Sequence, residues 1–119
     1  MLDESYGGVA DYVRLQQLKE ELYRELDVYK NAGFQLAENE AEYRMALNIK
    51  ILRERSAGTP VTIISDLCRG DEHIAYLRQL RDNAAVSYNV SRERINVLKL
   101  DIRTVNDQIA KEYGRPELQ

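Results

Sequence analysis

His73 is the only histidine of the chain, and Ser65, Asp66 and Asp71 lie close to it in sequence. Serine, histidine and aspartate are the side chains of nucleophilic hydrolysis, in which the imidazole takes the hydroxyl proton and the carboxylate holds the imidazole. No glycine-flanked serine elbow and no oxyanion-hole sequence accompanies them. Asp71 reads instead as a helix cap, and His73 as a surface residue of the first turn behind it. A structural zinc site takes about four cysteine, histidine or carboxylate ligands, and Cys68 and His73 are the only residues of their types. Diiron bundles use Glu-x-x-His pairs, which are missing here. Gly58-Thr59-Pro60 is not followed by the Gly-Lys-Ser/Thr of a phosphate loop. Arg69-Gly70-Asp71 spells an adhesion tripeptide but falls at a helix junction. The expectation is therefore a non-enzymatic chain with no catalytic residue, no metal and no cofactor.

Binding chemistry is a stronger candidate. Arg44, Lys50, Arg53 and Arg55 cluster toward one end of the first long segment, with Arg69 and Arg78 within reach. Such a group could contact nucleic acid or an acidic partner. Glu54, Asp71, Glu72 and Asp82 are interleaved with it, which favours a solvated helix face. The formal net charge of −3 also argues against binding held mainly by phosphate electrostatics. Val61, Ile63 and Ile64, followed by Leu67, add an apolar connection longer than a hairpin needs. It either folds back over the end of the bundle or serves as a docking knob.

The elements that carry these residues follow from the pattern. Charged residues are 31% of 119, with two prolines and no tryptophan, which points to an all-α chain of one-domain size. Residues 1–10, with Gly7-Gly8, read as a flexible arm. A helix spans 11–55 from an Asp11 cap, a short helical or irregular tip spans 56–70, a second helix spans 71–113, and 114–119 form a tail after Gly114 and Pro116. Gly58 and Pro60 stop the first helix. In the tip, the spacing of Ile63, Ile64, Leu67 and Cys68 favours a helical turn capped by Thr62 over a strand at 61–64.

The first helix carries the stripe Leu18, Leu22, Leu26, Tyr29, Gly33, Leu36, Glu40, Tyr43, Leu47, Ile51. The second carries Ile74, Leu77, Arg81, Ala84, Tyr88, Ser91, Ile95, Leu98, Ile102, Val105, Ile109, in alternating steps of three and four. A short tip folds them into a long antiparallel two-helix hairpin. The trial register sets Leu36 by Tyr88, Gly33 by Ser91 and Tyr29 by Ile95. It brings Glu40 and Arg81 within about one turn of each other, and each is alone on an apolar stripe. They read as a buried ion pair, with snorkelling to water as the alternative.

A second apolar stripe lies on the far side of each helix: Phe34, Met45, Ile49 and Leu52 on the first, Val86, Val90, Val97 and Leu100 on the second. A hairpin buries only one side of each helix, so these residues form an expected oligomer interface, with a homodimeric four-helix bundle as the simplest closure.

The run from Arg44 to Tyr88 resembles small α-helical accessory proteins encoded by phages and prophages of Gram-positive bacteria. The likeness rests on Gly58-Thr59-Pro60-Val61-Thr62, on Asp66-Leu67-Cys68-Arg69-Gly70-Asp71, and on Leu77-Arg78-x-x-Arg81-Asp82. It implies a protein of the host bacterial cytoplasm that binds host or phage proteins, near replication or recombination, and supplies no catalytic residues. A nucleic-acid-binding module is the alternative. Tyr113 and Glu117 also have the spacing of the secretion signal of WXG (Esx-like) hairpin proteins, although the Trp-x-Gly turn is missing. The single cysteine fits a reducing compartment. The first residues lack a signal-peptide pattern, and no apolar run approaches the roughly 20 residues that span a bilayer.

Overall fold

The computed structural model describes residues 2–113, with side chains from Gly8 onward. It is all-α: α1 (Leu2–Ser56), α2 (Val61–Gly70) and α3 (Glu72–Tyr113), with no strand among the described residues. The expected tail at 114–119, including Gly114, Pro116 and Glu117, lies outside the described residues. The chain divides into two compact units, one formed by Lys30–Asn89 and the other by the described parts of Met1–Tyr29 and Val90–Gln119.

In the unit that holds the chain ends, α1 and α3 pack antiparallel. Leu18, almost fully buried, meets Leu98 and Val105, with Leu15, Leu22, Ile102 and Ile109 around them. A polar cluster interrupts this apolar seam. Glu25 and Ser91 are both buried. The Ser91 hydroxyl donates to Glu25 Oε2 at 2.6 Å, and Arg94 Nε stands 3.4 Å from Glu25 Oε1. A buried carboxylate without such partners would be strongly disfavoured.

The sequence stripe set Leu26 in this place, but Leu26 is exposed and Glu25 faces inward. The inward positions of α1 here are Leu15, Leu18, Leu22, Glu25 and Tyr29, which alternate in steps of three and four as those of α3 do. Two helices that share a seam keep a common period, and that requirement outranks the hydrophobicity of one residue.

The start of α1 also differs from the expectation. The helix runs from Leu2, so Asp11 sits inside it rather than capping it. Gly7 and Gly8 are helical despite their poor propensity. The Tyr113 side chain of α3 lies where a Cβ on Gly8 would stand, and the Tyr113 ring is tilted against Tyr12 at 6.3 Å between centroids. Tertiary packing on a bare stretch of backbone overrides the local preference.

In the other unit, the end of α1, all of α2 and the start of α3 surround one cluster. Ile64, Cys68 and Ile74 are buried, and Tyr43, Ala46, Leu47 and Ile51 pack against them. One α1–α3 contact also departs from the trial register, although Leu36 and Tyr88 line one groove together as that register set them. A Cβ on Gly33 would come within 3.3 Å of the Tyr88 ring, so the bulky tyrosine, and not Ser91, lies against the glycine. The Asn39 amide donates to the Leu80 carbonyl at 3.3 Å across the same seam.

The turn from α1 into α2 is a Schellman closure. Gly58 has φ of 81°, its N–H donates to Arg55 O at 3.1 Å, and the Thr59 N–H donates to Glu54 O at 3.0 Å. The Thr59 hydroxyl adds a bond to Glu54 Oε1 at 3.1 Å. Pro60, not Thr62, is the N-cap of α2, and no side chain caps it. Asp71 then serves two helices. Its N–H donates to Cys68 O at the end of α2, and its Oδ1 accepts from the Ile74 N–H at 2.9 Å at the start of α3.

Two substitutions test this account by urea denaturation. Gly58→Ala forces an L-residue into the left-handed region and should lower stability by about 1–2 kcal/mol. Ser91→Ala removes a donor from a buried acid and should lower it by about 1–3 kcal/mol.

Candidate functional site: the cleft beneath the tip helix

Helix α2 does not project as a knob. Ile64 and Cys68 turn inward, so Ile64, expected among the partner contacts, is core. Val61, Ile63 and Leu67 remain exposed on its outer side. Between α2 and the two long helices lies a cleft of about 490 Å³. Tyr43, Leu47, Ile51, Ile64 and Ile74 give it an apolar floor, Cys68 and Ser65 line its α2 side, and Arg55, Arg69 and Arg78 also line it. Each arginine comes from a different helix. None of the three makes an ion pair among the described residues.

The basic cluster read from the sequence is thus divided. Arg44 Nε bonds Glu40 Oε1 of its own helix at 3.1 Å. Lys50 Nζ lies 3.8 Å from Glu54 and 3.6 Å from Asp71. Arg53 faces a neighbouring groove with His73 and Asp71. Arg55 alone of the four lines the main cleft. His73 is exposed, and Ser65 lies in a different groove from it, so the serine–histidine–aspartate set is not assembled. Among the described residues no group of three or more histidine, cysteine or acidic side chains could hold a metal ion.

Glu40 and Arg81 meet at 3.7 Å, but half-buried rather than in a dry core, and each has a nearer partner. Glu40 holds Arg44, and Arg81 Nη2 holds Asp82 Oδ1 at 2.9 Å. The Arg81 guanidinium also covers the Tyr43 ring at 4.4 Å from its centroid. The hydrogen bonds that Arg81 donates to Asp82, and behind them the charges of Asp82 and Glu40, raise the Arg81 pKa, while partial burial opposes them. A network of this exposure contributes orientation more than stability. Among the described residues the buried acid is Glu25. Its sequence signal was the uninterrupted three–four spacing from Leu15 to Tyr29.

The eight residues expected at an oligomer interface are all exposed. Phe34, Met45, Ile49, Leu52 and Val86 lie on the outer side of the unit that contains the tip, and Val90, Val97 and Leu100 on that of the other. Phe34 and Met45 each retain 65% of their accessible surface. No helix among the described residues is long and apolar enough to cross a membrane. No family model, no curated protein and no solved structure matches this chain.

Asp71 links the cleft's roof to its floor, and its carboxyl is held below the ordinary aspartate value of 3.8. The Ile74 N–H bond is the largest cause, opposed by desolvation and reinforced by Lys50 and the His73 N–H. A carboxyl with a depressed folded pKa adds stability above its unfolded value and loses it as pH falls through the folded value. Asparagine caps as well as aspartate but does not titrate in this range. The stability difference between the native protein and Asp71→Asn should therefore be full above about pH 5 and shrink toward pH 3. Urea midpoints measured across that range check it.

Proposed function

We propose that this chain is a non-enzymatic helical accessory subunit, a hairpin that self-associates through its outer faces and presents its tip to other proteins. The observation that carries the reading is the row of large apolar side chains left in water. Met45, Ile49 and Leu52 recur in steps of four and three on one side of α1, away from the inward Tyr43 and Leu47, and all three are exposed. Val97 and Leu100 repeat the arrangement on α3. Covering each such side chain contributes about 1.5–3 kcal/mol before the loss of side-chain freedom. A second copy is the proposed cover, because a self-complementary patch closes by two-fold symmetry without any further partner. A four-helix bundle is the assembly this produces.

The setting we propose is a phage or prophage gene cluster and the cytoplasm of its bacterial host, on the motifs of the tip region alone. Host or phage proteins are the partners this implies. Nucleic-acid binding ranks second. The pairing of Arg44 with Glu40, and of Lys50 with Glu54 and Asp71, breaks up the positive surface such binding would use.

Light scattering at micromolar concentration is expected to give twice the chain mass. Met45→Glu combined with Val86→Glu should return it to one chain with its helical circular dichroism retained. A well-folded single copy of the unaltered protein at that concentration would remove the self-association reading.

A further inference from the structure

The cleft beneath α2 has a composition that self-association does not explain. Its floor is aliphatic and aromatic, and three arginines without acidic partners among the described residues line it. Unpaired arginines that merely solvate a surface have no reason to converge from three separate helices on one apolar opening. Guanidinium groups are the side chains best matched to planar or tetrahedral oxyanions, through paired N–H donors. Two of the neighbouring acids, Glu54 and Asp71, are engaged elsewhere. Glu54 accepts from Thr59 and meets Lys50, and Asp71 caps α3. A volume of about 490 Å³ falls within the range of small-molecule sites.

We propose that this cleft binds a small amphipathic anion, with its apolar body against Leu47, Ile51 and Ile64 and its oxyanion head held by Arg55, Arg69 and Arg78. The head is a phosphate or a carboxylate, and the body is an alkyl or aryl group. A nucleic-acid strand fits the site less well. Its bases would need an open aromatic face, and the Tyr43 ring is covered by Arg81. None of the cleft's lining residues is among the eight expected at the oligomer interface, so the proposal does not depend on whether the outer faces associate.

Calorimetric titration of the full chain tests the assignment, with decyl phosphate and decanoate below their micellar concentrations as probes. One saturable site per chain is expected for at least one of them. Decanol, which lacks the charge, and inorganic phosphate, which lacks the chain, should each bind at least about tenfold more weakly. Arg69→Glu with Arg78→Glu should weaken the anionic probe by at least about tenfold. Val61→Glu, at a cleft position that is largely exposed and so tolerant of the change, should weaken it too. Val28→Glu, exposed and outside both the cleft and the expected oligomer interface, should leave binding unaltered. The proposal is overturned by the absence of saturable binding, by equal binding of decanol, or by binding that the arginine substitutions leave intact. It is also overturned if a single-stranded oligonucleotide binds through these arginines while neither amphiphile does.

Discussion

Two helices packed side by side share one seam, and each unit of this chain is arranged around that limit. Positions three and four apart face the partner helix, and everything else meets water or another surface. In the unit with the chain ends the seam is filled by Leu18, Leu98 and Val105, together with the Glu25–Ser91 pair. In the other unit α2 adds a third wall, and Ile64, Cys68 and Ile74 form a buried cluster behind it. The narrowness of the seam accounts for two features together. Many inward residues are only half-buried, and a second set of large apolar side chains finds no place inside.

The polar residues of the seam are best understood as constraints on alignment. Glu25 has one position at which it meets both Ser91 and Arg94, and sliding α3 by a turn would leave a carboxylate among leucines. Gly33 and Tyr88 act through shape, since the ring needs a stretch of backbone with no side chain. Gly8 and Tyr113 repeat that device in the unit with the chain ends. Apolar residues alone would permit several alignments of nearly equal energy, and these contacts separate one from the rest.

Much of this was legible in the sequence, and the misreadings have specific causes. The stripe of α3 was clear because its three–four alternation never breaks, and every member from Ile74 to Ile109 faces inward or partly inward. Helix α1 offered a choice at one step between Leu26 and Glu25. Hydropathy chose leucine, whereas the partner across the seam, Ser91, makes glutamate the inward residue. Helical Gly7 and Gly8 could not be read locally, because what orders them includes a tyrosine from the opposite end of the chain. The helical preference of the tip was visible in the spacing of Ile63, Ile64, Leu67 and Cys68. That Ile64 and Cys68 are its inner residues depends on Ile51 and Ile74 lying beneath. The convergence of Arg55, Arg69 and Arg78 was least legible, since it needs three helices to be placed before the residues become neighbours.

The glycine turn after α1 also bears on how the chain reaches this state. It joins α1 and α2 through a closed, hydrogen-bonded bend, so the first contacts of the Ile64–Cys68–Ile74 cluster span short loops. Pairs such as Gly33 with Tyr88 span longer ones, and Gly8 with Tyr113 nearly the whole chain. Loop-closure entropy rises with separation, and each pair already formed shortens the loop that the next must close. Loop-closure entropy therefore favours assembly in the manner of a zip fastener drawn from its closed end, with the bend at Gly58 as the stop.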